Sequence, residues 1–156
     1  MITLRAMTPT EYEAWLDTST DEYALEKVKA GNWPADDAKA RALAEYAGYL
    51  PQGTATAGHH LFTIADAEDR AVGMIWIATD VHKTPGRCWI YDLRVDEHQR
   101  RRGHARAAML AIEAVAREHG QTVIGLHVFG HNTGARALYE SLGYGVTNVN
   151  MAKPLV

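Results

Sequence analysis

The stretch Gln99-Arg-Arg-Arg-Gly-His-Ala105 constrains the fold more than any other part of the chain, because of what stands on either side of it. Before it comes a strand-like run, Cys88-Trp-Ile-Tyr-Asp-Leu-Arg-Val95, and after it a helical run that begins near Arg102. In that helix Ala105, Ala108, Met109, Ile112 and Ala116 fall on one face, Glu113 and Arg117 stand at i,i+4, and Gly120 ends the pattern. A strand that enters a helix through a short turn requires a sheet with the helix packed on it. The turn itself has the chemistry of an anion site. Backbone N–H groups at a helix start have no intrahelical partner, and the macrodipole adds partial positive charge there. Gly103 permits close backbone approach, and the arginines add full charges. A basic triplet that merely keeps a surface turn soluble is the competing reading; the position between strand and helix favours the anion. The Arg100-x-x-Gly103-x-Ala105 spacing is not a P-loop, because the Lys-Ser/Thr pair is missing, nor a dinucleotide fingerprint, because the other glycines are missing.

The remaining pattern predicts ten elements in the order β, α, α, β, β, β, α, β, α, β. Ile2–Arg5 reads as a first strand, and Thr8 as a helix cap with Pro9 at the first helical position and Glu11 in the first turn. Helical spacing runs to Gly31, with a break expected at Asp17-Thr-Ser-Thr-Asp21, and a second helix is expected from Pro34 to Leu50. His60–Ala65 and Ala71–Thr79 form a hairpin pattern around Asp66–Arg70, followed by Trp89–Val95 and the helix Arg102–His119. Thr122–Phe129 reads as a strand, Asn132–Leu142 as a helix closed by Gly143, and Tyr144–Ala152 as a final strand. The order describes an α+β fold, a mixed sheet with helices packed on it, and not a regular doubly wound α/β domain.

Composition removes several function classes. At 156 residues the chain is expected to form one domain, residues 1–156, with a core that needs no staples. A formal net charge of −3 argues against a general affinity for nucleic acid, so Arg100–Arg102 is a local device. The single cysteine, Cys88, excludes an internal disulfide and fits a reducing cytoplasm. No apolar stretch approaches membrane-spanning length, so no membrane partner is expected. Metal binding is not expected either: His127 and His131 straddle a strand end, and the adjacent His59 and His60 point opposite ways if extended. With only Ser19 and Ser141 present, a serine triad has no footing.

A second block, Asn132-Thr-Gly-Ala-Arg-Ala-Leu-Tyr-Glu-Ser-Leu-Gly-Tyr144, carries information only beside the first. Alone, Asn132 reads as an N-cap and Tyr139 as a half-buried aromatic near Leu138 and Leu142. Together, Leu93-Arg-Val95, Gln99 through Arg106 and Asn132 through Tyr144 resemble the GNAT superfamily of acetyl-CoA-dependent N-acetyltransferases. The specific part covers about Trp89 to Met151. Glu22-Tyr23, Glu26 through Trp33 and Leu50-Pro-Gln-Gly53 further resemble an uncharacterised bacterial subgroup.

The resemblance implies a mostly antiparallel central sheet with one parallel, splayed strand pair, flanked by about four helices. It implies acetyl-CoA as the donor. The turn matches the family's Q/R-x-x-G-x-G/A motif, so Arg100, Arg101, Arg102, Gly103, His104, Ala105 and Arg106 fall on its pyrophosphate-binding segment. Ala105 replaces the commoner second glycine, and His104 occupies a position that is usually apolar. The main chain of Leu93, Arg94 and Val95 falls where the pantetheine arm pairs like an added strand, with the Leu93 N–H as oxyanion donor. Asn132 falls on a pantetheine contact, and Tyr139 on the tyrosine that protonates the departing thiolate.

An amine attacks a thioester only when neutral, so such an enzyme must remove a proton, position two reactants and stabilise developing charge. Direct transfer in a ternary complex is expected, since Cys88 lies too early in its strand for a covalent relay. For the general base, Asp92 is one candidate, although strict alternation places it on the face opposite Tyr91 and Leu93. A water chain ending in His127, Asp92 or Glu22 is the other. The acceptor, a small-molecule or peptide amine, is expected between the N-terminal helices and the strands at Leu93 and Leu126, with Glu22, Glu26, Trp33 and Asp92 nearby. A non-catalytic CoA-binding sensor or interaction module on the same fold is the alternative reading. Similar proteins are frequently dimeric, and a homodimer is an open option that no single residue marks.

Overall fold

Thr3–Ala6 forms the first strand (β1) and Pro9–Lys29 the first helix (α1) in a computed structural model that describes all residues from Met1 to Val156. Thr8 caps α1 as its sequence predicts. The Glu11 N–H donates to Thr8 Oγ1 at 3.2 Å, and the Thr8 N–H donates back to Glu11 Oε2 at 2.9 Å, a reciprocal capping box. Arg5 grips both oxygens of the same carboxylate at 2.9 and 2.8 Å, and the Thr63 hydroxyl donates to it at 2.7 Å. These donors, Arg5 first, hold the Glu11 carboxyl down at about 2.

The expected break in α1 does not occur. Asp17–Asp21 continues the helix because its polar groups find partners there. The Thr20 hydroxyl donates to the Leu16 carbonyl at 2.6 Å, and Lys39 bridges Asp17 and Asp21 at 3.0 and 2.7 Å. Lys39 belongs to the second helix (α2, Ala38–Tyr49), which starts later than Pro34 because the chain from Gly31 to Asp37 is spent in turns.

The sheet continues with β2 (His59–Ala65), β3 (Ala71–Ala78), β4 (Arg87–Val95) and β5 (Val123–Leu126), in the spatial order β1-β2-β3-β4-β5. The first four strands pair antiparallel, and β4 pairs with β5 in parallel. Between β4 and β5 runs the third helix (α3, His104–Glu118); a fourth (α4, Thr133–Ser141) follows β5. Alternation along β2 and β3 makes two cores. On one face Ile64, Val72, Ile75 and Ile77 meet Ala108, Met109 and Ile112 of α3. On the other Leu61, Met74 and Trp76 meet Met7, Trp15 and Leu50. This is the mixed sheet with four flanking helices that the element order predicts. No helix is long and apolar enough to cross a membrane.

Three further boundaries differ from expectation. The helix α3 begins at His104 and not Arg102, because Arg101 and Gly103 both take left-handed conformations, φ 64° and 80°. The strand β5 stops at Leu126 and not Phe129, because its ladder with β4 ends at the Ile90–Leu126 pair. The final strand expected at Tyr144–Ala152 does not form within this chain. Every residue from Gly145 onward is exposed, and none enters a ladder. Strand propensity without an adjacent edge gives no strand.

Candidate active site

The parallel ladder between β4 and β5 runs from Arg87–Val123 to Ile90–Leu126 and then stops. Gly125 lies against the Trp89 ring, so close that a Cβ there would come within 2.8 Å of it. Beyond Leu126 the chain leaves β4, and a cleft of about 170 Å³ opens between them. Ile90, Tyr91, Asp92 and Leu93 form one wall, Leu126, His127, Val128 and Phe129 the other, and Asn132, Ala135 and Tyr139 of the α4 region close it. The cleft therefore unites Asp92, Leu93, Asn132 and Tyr139, four residues that the sequence scatters over 48 positions or so of chain.

Asp92 is where the strand departs from simple alternation. Trp76 pairs with Asp92 but the next residue, Ile77, pairs with Ile90, so Tyr91 is an extra residue in a bulge. This corrects the expectation that Asp92 faces away from both Tyr91 and Leu93. Tyr91 stacks on Trp76 at 4.7 Å, and Asp92 accepts from Trp15 Nε1 at 3.0 Å, so both belong to the α1/α2 side of the sheet. Leu93 packs instead against the α3-side core. Burial pushes the Asp92 carboxyl above the usual carboxylate range, against the opposing pull of the Trp15 donor.

Tyr139 reaches the cleft from the last turns of α4, with its ring against Tyr144 at 6.0 Å. Burial raises its hydroxyl pKa, and the nearby Asp92 charge adds to the effect. At neutral pH the side chain is therefore a protonated donor. Asn132 is the N-cap of α4, its Oδ1 accepting from the Ala135 N–H at 3.3 Å, and still faces the cleft.

The strand β4, which forms one wall of the cleft, leads after Val95 into the basic turn. Glu97–Gln99 makes one 3₁₀ turn, and Arg101 and Gly103 then swing the backbone into α3, whose first turn no side chain caps. Nothing lies within 4 Å of where a Gly103 side chain would begin, so the backbone there faces open space. Arg101 and Arg102 are exposed. Arg100 Nε donates to the Val95 carbonyl at 3.1 Å and so ties the turn to the end of β4. Arg106 donates to Ser141 Oγ at 3.0 Å and ties α3 to α4. His104 and Ala105, both half-buried, form the first helical turn.

Arg94 makes a two-pronged bond to Glu22 at 3.1 and 2.7 Å, so Glu22 serves as an ion-pair partner at the cleft's flank. Glu26 and Trp33 lie elsewhere. Glu26 is exposed near Lys29, and Trp33 packs edge-on against Tyr23 at 5.4 Å under the Lys27 ammonium. Cys88 is fully buried, with its thiol pKa raised by that burial, and takes no part in the cleft. Sequence reasoning missed Trp15 and Trp76, which hold Asp92 and Tyr91. Trp15 stands 77 residues from Asp92, and no local pattern links them.

Residues 10–144 match the model of the acetyltransferase (GNAT) family. The chain belongs to the GNAT family. It is 38% identical over 154 residues to the uncharacterized N-acetyltransferase YycN of Bacillus subtilis, covering 99% of each chain. The crystal structure of YycN superposes with a TM-score of 0.87 over 100% of this chain and 99% of that one. The mycothiol acetyltransferase of Thermobispora bispora is 31% identical over 149 residues, spanning 92% of this chain and 46% of that protein. This GNAT protein is thus an acetyltransferase, with its five strands and four helices arranged as in YycN.

Proposed function

We propose that the enzyme transfers acetyl from acetyl-CoA to a primary amine by direct attack in a ternary complex, with the β4/β5 cleft as the reaction centre. The observation that carries this reading is convergence. A protonated tyrosine, a half-buried carboxylate with a raised pKa and a free strand edge meet in one cleft, and the strand that bears that edge leads on into a basic helix start. The residues present suit CoA. The β5-facing edge of β4 beyond Ile90 has no ladder partner in the protein and can pair with an extended amide-bearing arm. The Arg101–Arg106 backbone and the exposed arginines suit a pyrophosphate. Acetyl-CoA, when bound, would contribute the thioester.

In this scheme the arginines and the α3 N-terminus hold the donor, and Asn132 orients its arm. The Leu93 N–H donates to the carbonyl oxygen as negative charge develops on it. Asp92, directly or through water, takes the amine proton, and Tyr139 donates its own proton to the departing sulfur. The acceptor class is a small-molecule or peptide amine approaching from the Tyr91–Asp92 side. A screen of thiol release from acetyl-CoA over polyamines, aminoglycosides, amino acids and peptide N-termini tests the reading. At least one amine should raise thiol release well above the rate with acetyl-CoA alone; uniform background across all four classes, with CoA binding intact, would refute it.

A further inference from the structure

The bulge in β4 does more than place Asp92. In a regular strand the neighbours Tyr91 and Asp92 would stand on opposite faces. The extra residue turns both to the α1/α2 side, so a ring and a carboxylate stand together in one wall of the cleft. Tyr91 also begins an aromatic surface that runs on from the cleft. It stacks on Trp76 at 4.7 Å and 21°, meets Tyr49 of α2 at 5.4 Å, and has the His59 ring 5.9 Å away. Tyr49 is 48% exposed and Tyr91 half-buried, so the surface presents open rings. It carries no charge of its own. His59 Nδ1 accepts from Trp76 Nε1 at 3.0 Å, which leaves that nitrogen without a proton, and burial lowers the imidazole pKa.

The charges beside this surface are few. Asp92 is the one carboxylate among the residues that line the cleft. On its flank Arg94 and Glu22 cancel, bonded at 3.1 and 2.7 Å, while the exposed Glu45 accepts from the Tyr23 hydroxyl at 2.7 Å. One anion beside a neutral aromatic plate matches a ligand with one cation beside a flat apolar body. A second ammonium on the ligand finds no free partner in the cleft, and a carboxylate on it meets Asp92 as a like charge. We propose that the acceptor is a primary amine with a single positive charge and an aromatic ring a few bonds from its nitrogen, the nitrogen at Asp92 and the ring on Tyr91 and Tyr49. The proposal deepens the acetyl-transfer reading and rests on it for the place of the reacting nitrogen. Two sources carry this chemistry, a free arylalkylamine and an aromatic residue at a peptide N-terminus. In either case Tyr91 and Tyr49 determine specificity through ring-on-ring contact.

Calorimetric titration of the full chain in excess CoA, which has no acetyl group to transfer, reads binding apart from turnover. Phenethylamine or phenylalanylglycine amide should bind about tenfold or more tighter than butylamine and putrescine, and the tighter of the two aromatic amines identifies the source. Tyr49→Leu and Tyr91→Leu keep apolar bulk and remove the ring. Each should weaken the aromatic ligand by about threefold or more and butylamine by less than about twofold, and Tyr49→Leu, at an exposed position, should keep its melting temperature. Butylamine or putrescine binding as tightly as both aromatic amines overturns the proposal. So does an aromatic preference that survives both leucine variants. Thiol release from acetyl-CoA with the same amines separates this inference from the reading beneath it. An aromatic amine that binds with the expected preference and is never acetylated refutes acetyl transfer and leaves the ring-binding subsite standing. Acetylation of butylamine or putrescine with a kcat/KM equal to that of the aromatic amines refutes the aromatic specificity alone.

Discussion

Two side chains in the cleft, Asp92 and Tyr139, have their pKa values raised by burial, and the same shift has opposite consequences for them. Tyr139 keeps its proton across the working range, so it is always ready to donate. Tyr139→Phe should lower kcat by about 10²- to 10⁴-fold with little change in donor affinity, measured as thiol release and CoA binding in parallel. Asp92 must lose its proton to act as a base, so kcat/KM should rise with pH through a value above the ordinary carboxylate pKa of about 3.9. Asp92→Asn should abolish that acid limb. The stability consequence has a definite sign. A carboxyl with a raised folded pKa contributes stability below its unfolded pKa and loses it as pH rises through the folded value. Asp92→Asn should therefore be the more stable protein at pH near 7, with the gap closing in acid; denaturant melts at several pH values check this. At this scale the sequence was informative where motif residues lie close together, as in Asn132 to Tyr139. Trp15, which orients Asp92 from another element, is invisible without the fold.

Strands and helices follow their sequence signals except where a tertiary partner overrules them. The α1 cap was legible because Thr8, Pro9 and Glu11 are local; its second use was not, since Arg5 and Thr63 arrive at Glu11 from two different strands. Glu11→Gln should cost about 2 kcal/mol at neutral pH. The lowered Glu11 pKa means that this contribution is present above the unfolded carboxylate pKa and lost as pH falls toward about 2, so the cost should shrink in acid. The absent break in α1 has the same origin: Lys39 of α2 answers Asp17 and Asp21. At Gly73 two strands come so close that a Cβ would lie 2.2 Å from the Arg94 carbonyl oxygen. Gly73→Ala should destabilise the protein by about 3 kcal/mol and displace the end of β4 that leads into the basic turn, read as a lower melting temperature and weaker CoA binding. The bulge at Tyr91 had no sequence signal, because Cys88-Trp-Ile-Tyr91 is an unbroken apolar stretch in which one inserted residue interrupts no alternation.

For the molecule as a whole, element order described five of the strands and the four helices, but it added a last strand that does not form and did not say where the two parallel strands part. That divergence is the feature with the widest consequence. The main-chain groups of β4 beyond Ile90 have a paired side facing β3 and an unpaired side facing the cleft. Thermodynamically the free enzyme is a sheet short of one strand, and a donor that pairs with that edge behaves as a folding ligand. Occupancy at 100 times Kd adds about 2.7 kcal/mol to stability, which for a chain of this size raises Tm by about 5–10 °C. The protection should be uneven. Amide hydrogen exchange should slow most at the main chain of Asp92–Val95, while the exposed segment after Tyr144 should show little change. By this measure a donor that pairs with the free edge of β4 would couple the lifetime of the protein to its own supply.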